Sequence, residues 1–209
     1  MIFLYFGAFF RARSDVCLLT RKEVPILKKS SVRKLAVTGV LAALVFAASW
    51  LRVPPGGTAF VIHLGNVMCI LSGLLLGGFF GGCAAGIGSF LFDLSNPAYI
   101  ASAPFTLAFK FLMAYVTGRL AYAGGKSGES LRRNTAAGAA GAAAYIALYL
   151  TKRWFYDYRL LEGLSTGPAL VKLAANASSS VINAAIAVAV AVPLHRAIKA
   201  ALNRAGLAF

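Results

Sequence analysis

Residues Leu64 to Phe92 run for 29 positions without a single charge. No other feature of the chain limits its fold so strongly. As one helix the segment would measure about 44 Å, well beyond a hydrocarbon core of about 30 Å. Its middle reads LGGFFGGC, with four glycines in six positions, and glycine lets a chain turn without steric cost. The spacing predicts two short helices, 64–80 and 82–94, joined by a glycine turn. A single long, tilted helix is the competing reading.

Further apolar blocks flank this one. Leu35 to Leu51 is uncharged and bounded by Arg33, Lys34 and Arg52. VPPGGT then ends a helix, because proline and glycine do. Pro104 to Tyr122, Asn134 to Leu150 and Pro168 to about Val192 complete the set, separated by AGGKSGESLRRN and TKRWFYDYRLLEGLSTG, both read as polar loops. The chain is 59% hydrophobic and 13% charged, where a soluble domain carries about 25% charged residues. The expected fold is an all-α membrane protein, a bundle of six transmembrane helices with both termini cytoplasmic.

Charge selects between the two readings of 64–92. Residues 11–34 hold eight Lys and Arg, 119–133 hold four and 196–204 hold three, so 15 of 21 lie on one side of a six-span topology. That side is cytoplasmic by the positive-inside rule. One long helix over 64–92 would put the 119–133 cluster outside and erase the asymmetry. The net charge of +15 is thus topological, and no nucleic-acid partner is expected. Residues 1–31 read as a basic extension, expected to be poorly ordered, 32–200 as the membrane domain and 201–209 as a cytoplasmic tail. IFLYFGAFF near the start is too short to span and lacks the flanks of a signal peptide. It reads as an interfacial anchor or as the product of an early assigned start codon.

Several chemistries are excluded. GGKSG (124–128) lacks the first glycine of a phosphate loop, since position 120 is Leu, and no strand precedes it. Ser89 in GIGSF with His63 as base would be a membrane protease, but a serine among glycines in a membrane helix usually serves packing. Two histidines make no metal site, and Cys17, Cys69 and Cys83 make no disulfide framework. No metal or cofactor is expected, and no enzyme.

What remains is a polar set near the outer face. His63 and Asn66 share one side of the second helix. Asp93 closes the third. Lys110 lies about 9 Å below Pro104 on the fourth, and Asn176 about 12 Å below Pro168 on the sixth. Ionisable groups in membrane helices are costly and face a bundle interior or a wet cavity. Two readings stand: a structural Lys110–Asp93 ion pair, or a polar ligand pocket open to the outside. Trp50, Tyr99, Trp154, Tyr156 and Tyr158 form an interfacial belt or a lid that stacks on a planar ligand. Small residues repeat every four positions at Gly39, Ala43 and Ala47, and again at Gly78, Gly82 and Gly86, which permits close helix contact. Two readings stand: both stripes pack within the bundle, or one of the two surfaces is left over to dock on another membrane protein.

HLGNVMCILSGLLLGGFFGGCAAGIGSFLFDL, APFTLAFKFLMAYVTG and the closing AVPLHRAI resemble the substrate-binding S components of energy-coupling factor (ECF) vitamin transporters, over about residues 32–200. The likeness is to the riboflavin-type branch, which includes carriers assigned to pyridoxine and hydroxymethylpyrimidine. It implies a plasma-membrane protein of a prokaryote that captures a small water-soluble vitamin or precursor at its outer face. It also implies docking on a membrane coupling subunit with two cytoplasmic ATPases, through Gly39, Ala43 and Ala47. ATP is then used by those partners. Lys110 is expected to anchor an anionic or acceptor group, with Asp93, His63, Asn66, Asn176, Trp154 and Tyr99 completing the site. The nickel and cobalt branch carries an N-terminal histidine that is missing here before His63. The alternative is a self-sufficient small transporter or channel-like protein.

Overall fold

The computed structural model describes residues 29–53, 62–125 and 128–205. Two compact units are distinguished, Met1–Arg33 and Lys34–Phe209. Of the first, only the opening turn of a helix is described, and everything below concerns the second. Residues 1–28, including the apolar N-terminal stretch, lie outside the described residues.

Six α-helices carry the fold: α1 (Lys29–Trp50), α2 (Leu64–Leu76), α3 (Gly78–Leu94), α4 (Ala103–Tyr122), α5 (Leu131–Lys152) and α6 (Thr166–Arg204). A two-residue antiparallel ladder, β1 (Arg52–Val53) with β2 (Ile62–His63), closes the α1–α2 connection. Among the described residues, three helical stretches are long and apolar enough to cross a membrane: Val32–Trp50, Ile100–Gly125 and Thr166–Arg204. Helices α2 and α3 are apolar but shorter.

The two-helix reading of 64–92 holds, but the turn lies four residues earlier than expected. Gly77 has φ 78° and ψ −172°, a region essentially reserved for glycine. Gly81 and Gly82 stay helical and serve close approach instead. A Cβ on Gly81 would lie 2.6 Å from the Gly73 Cα of α2, and one on Gly82 would lie 2.9 Å from the Phe111 ring. The composition allowed either glycine pair to turn, and the need for contact at 81 and 82 leaves 77 to do it.

Two further boundaries differ. The segment 153–161, expected as loop, continues α5 as a π-helix, with Glu162 N donating to Asp157 O at 2.9 Å. The last helix was expected to stop near Val192. It passes through Pro193 and takes in the basic tail as far as Arg204. A proline costs one backbone hydrogen bond, which membrane helices accommodate through neighbouring groups.

Helix α2 is the centre of the bundle. It packs against α3, α4, α5 and α6, and Val67, Cys69, Ile70, Leu71 and Leu74 are almost wholly buried. Helix α3 approaches α4 along Gly78, Gly82 and Gly86, where a Cβ would meet Arg119, Phe111 and Leu107 within about the contact limit, at 2.7, 2.9 and 3.0 Å. Helix α1 meets α3 through Leu41, Ala42 and Ala84. Its other face carries Val40 at 60% exposure and Leu44 at 46%. With Phe79, Ile87, Leu91, Val171 and Ile182 also exposed, the bundle presents apolar surface outward, as a protein solvated by lipid does.

Candidate functional site

A cavity of about 380 Å³ occupies one end of the bundle. Six helices converge on it. Helix α1 brings Ser49, α2 brings Asn66, α3 brings Ser89 and Asp93, α4 brings Phe105, Thr106, Phe109 and Lys110, and α5 brings Tyr145, Tyr149 and Lys152. Helix α6 adds Asn176, Ser179, Ser180 and Asn183, spaced i, i+3, i+4 and i+7 so that all share one face.

Lys110 is the centre of this arrangement. It sits between Phe109 and Phe111 on α4 and is 8% exposed. Its Nζ donates to Asn66 Oδ1 and lies 3.9 Å from the centroid of the Tyr145 ring. A cation over an aromatic face is stabilised by the ring quadrupole, by about 2 kcal/mol when desolvated. The hydrogen bond goes to Asn66, where the sequence led us to expect Asp93. Both Lys110 and Asp93 border the cavity.

Next to the π-helix a second set of polar groups ties the rim together. Lys152 Nζ donates to Ser102 Oγ at 3.0 Å and to Asp157 Oδ1 at 2.7 Å. Arg153 reaches the other Asp157 oxygen at 3.3 Å, and its Nε donates to Tyr149 Oη at 3.0 Å. Burial disfavours the Arg153 cation, but Tyr149 and Asp157 more than offset it and its pKa stands above the ordinary value. Burial pushes the Tyr158 phenol up, so it stays a neutral hydroxyl. Tyr158 Oη accepts from Asn176 Nδ2 at 2.6 Å, while Tyr149 Oη donates to Asn176 Oδ1 at 3.2 Å.

Of the residues expected from sequence, Lys110, Asp93, His63, Asn66, Asn176 and Tyr99 all border the cavity. Trp154 is half-buried and does not contribute to its wall; the π-helix turns Arg153 toward the cavity instead. Asn176 holds the rim through Tyr149 and Tyr158. Asn183 was missed. Its Oδ1 accepts from the His63 backbone N–H at 2.8 Å and its Nδ2 donates to Ser179 O at 3.0 Å, so it pins the start of α2 to α6. Tyr145 and Tyr149, stacked 5.8 Å apart, were missed too. Their spacing with Lys152, i, i+4 and i+7 on one helix face, was the available signal. Ser89 Oγ lies 3.7 Å from Cys69 Sγ. Among the described residues no cluster of metal ligands occurs.

A model of one protein family, described as "ECF-type riboflavin transporter, S component", matches residues 29–200. The chain belongs to that family. No curated protein matched the chain in a separate comparison. As an ECF S component the protein is a membrane substrate-binding subunit of a transporter rather than an enzyme, of the riboflavin-like branch that its apolar blocks resembled.

Proposed function

We propose that the protein captures a small, ring-containing, water-soluble vitamin or precursor in this cavity, from the outer side of a prokaryotic plasma membrane. A coupling subunit and two cytoplasmic ATPases then drive delivery. The observation that carries the reading is Lys110, a buried ammonium in an apolar helix, engaged by Asn66 and Tyr145 beside a cavity of about 380 Å³. Ligand pockets range over about 300–1,000 Å³, with a few convergent polar groups among apolar and aromatic walls. Lys110 anchors an acceptor on the cargo, and Asn66, Asp93 and His63 supply further hydrogen bonds.

Orientation follows from charge. The cavity takes the N-terminal half of α4 and the C-terminal end of α5. The basic runs 119–133 and 196–204 belong to the other ends of α4, α5 and α6. The positive-inside rule makes that end cytoplasmic and the cavity end external. All six helices then cross, with both termini inside. Helix α2 has only 13 residues, but protein covers most of it, so its ends need no lipid match.

The coupling subunit docks on α1. Gly39, Ala43 and Ala47 all face away from the bundle, and a Cβ on Gly39 would meet nothing within 4 Å. The other small-residue stripe, on α3, is taken up by α4. A one-ended cavity argues against a self-sufficient carrier, whose site belongs near the bilayer midplane. The test is uptake in cells that contain the coupling subunit and ATPases, alongside ligand binding by purified protein. Ala43→Trp should abolish uptake and leave binding intact. Uptake that survives this change, or that needs no ATPases, sinks the reading.

A further inference from the structure

The charge around the cavity does not balance, and the imbalance describes the cargo. Lys110 is buried, and both of its partners, the Asn66 amide and the Tyr145 ring, are neutral. Among the described residues, no carboxylate forms an ion pair with it. On the rim, Lys152 and Arg153 share the single carboxylate of Asp157. Among the described residues, Asp93 is the carboxylate that lines the wall itself, and it has an interaction of its own. Three cations thus stand against two carboxylates among the described residues, even with Asp93 counted in full.

A cation held in a low-dielectric wall is tolerable while water fills the cavity. A cargo that fills the cavity removes that water. A neutral cargo would leave the Lys110 ammonium covered and without a counter-charge, which is unfavourable. An oxyanion removes the penalty and gains a charge-assisted hydrogen bond, about twice as strong as a neutral one. Lys110 spends one N–H on Asn66, so two remain for it. Around this point Phe105, Phe109, Tyr145 and Tyr149 line the cavity and offer faces and edges to a ring.

We propose that the cargo is an anion: a ring-bearing small molecule whose single compact oxyanion, a carboxylate or a phosphate, seats on Lys110. This rests on the reading of the cavity as the substrate site and narrows the class of substrate. It also makes Lys110 a specificity determinant that the fold does not need.

Matched pairs of probes test it. Purified protein in nanodiscs of zwitterionic lipid is titrated with nicotinate against nicotinamide, pyridoxine 5′-phosphate against pyridoxine, and riboflavin 5′-phosphate against riboflavin. Each pair shares a ring and differs in charge, and the carboxylate and phosphate arms separate the two oxyanions. In at least one pair the anion should bind about ten-fold or more tightly than its neutral partner. Lys110→Met should lose that preference. Ligand-free Lys110→Met should unfold at the wild-type temperature or above it, because a buried charge without a counter-charge has been removed. If in every pair that binds the neutral member binds the wild type as tightly as its anion, the anion proposal falls and substrate capture stands. If Lys110→Met unfolds well below wild type, Lys110 serves the fold and the proposal falls as well. If no probe binds the wild type, both this proposal and the reading of the cavity fall.

Discussion

The bundle buries two polar clusters at its two ends, and they are built differently. At one end Lys110 and Asn66 border a cavity, with a charged donor held by neutral groups. At the other, Asn134 and His195 are 0% and 1% exposed and lie outside that cavity wall. Asn134 Nδ2 donates to Gly128 O at 2.6 Å and approaches His195 Nδ1 at 3.3 Å. About 18 Å of α6 separates Asn183 at the first cluster from His195 at the second. In the sealed cluster the Asn134 amide meets the Gly128 carbonyl and the His195 ring, and these contacts join the α4–α5 loop, α5 and α6. A sealed cluster fixes how helices meet. A charged one beside open volume has capacity left for something that is not protein.

This contrast breaks if the two clusters respond alike to truncation. The largest effect should come from Lys110→Ala, which should weaken ligand binding about 100-fold, the worth of roughly 2–3 kcal/mol of charged hydrogen bonding, with little change in thermal unfolding. Calorimetric titration with the ligand that co-purifies with the wild type measures the first, and a melting curve in the same detergent the second. Asn134→Ala should do the reverse. Gly128 O loses its donor and His195 its Asn134 partner in a site closed to water, so stability should fall by about 1–3 kcal/mol while affinity stays within about two-fold, a margin inside the scatter of distant, independent sites. A loss of affinity in Asn134→Ala would mean that the ends are coupled.

Much of this was legible from sequence for one reason: lipid removes alternatives. An uncharged run of 29 residues has few ways to fold, and a lysine in such surroundings stands out. That is how Lys110, Asn66 and Asp93 could be found together. The turn in 64–92 was misplaced because the four glycines are equivalent in composition and differ only in φ and in what their missing Cβ makes room for. Segment 153–161 looked like a loop because it is short and carries Arg153, Asp157 and Arg159, and because a π-helix is rare; this also misdirected Trp154. Asn183 was legible in principle, two turns after Asn176 on a face with Ser179 and Ser180, yet its partner is a backbone N–H some 120 residues away. The two small-residue stripes looked alike, and only the packed structure shows that α4 covers one and leaves the other outside.

A smaller effect should come from Tyr145. Tyr145→Leu removes the aromatic face 3.9 Å from Lys110 Nζ and keeps an apolar contact of moderate size. The ammonium then rests on Asn66 alone, and the cation–π term of about 0.5–2 kcal/mol is lost. Affinity should fall about three- to ten-fold, and Tyr145→Phe should restore most of it, since the ring rather than the hydroxyl faces the cation. If Phe fails to rescue, the hydroxyl matters and the assignment of the ring is wrong.

The smallest change belongs to the rim. Lys152 bridges Ser102 and Asp157 and so joins the segment before α4 to the π-helix after α5. The pair is largely shielded, with side-chain exposures of 10% and 11%. Lys152→Ala leaves Arg153 to hold Asp157, so the carboxylate is not stranded and the loss should stay near 1 kcal/mol. What should change is the traffic of ligand. With the bridge gone, the Ser102 segment is no longer tied to the π-helix, so the rim opens more often. Dissociation measured by stopped-flow should quicken a few-fold while the unfolding temperature barely moves. Lys110→Ala should weaken the bound state itself, so the two substitutions should add in the dissociation rate. Additivity would place the rim and the anchor as separate devices. A double variant no faster than Lys110→Ala alone would instead make Lys152 part of the anchor, and the cavity would then hold its cargo with both lysines at once.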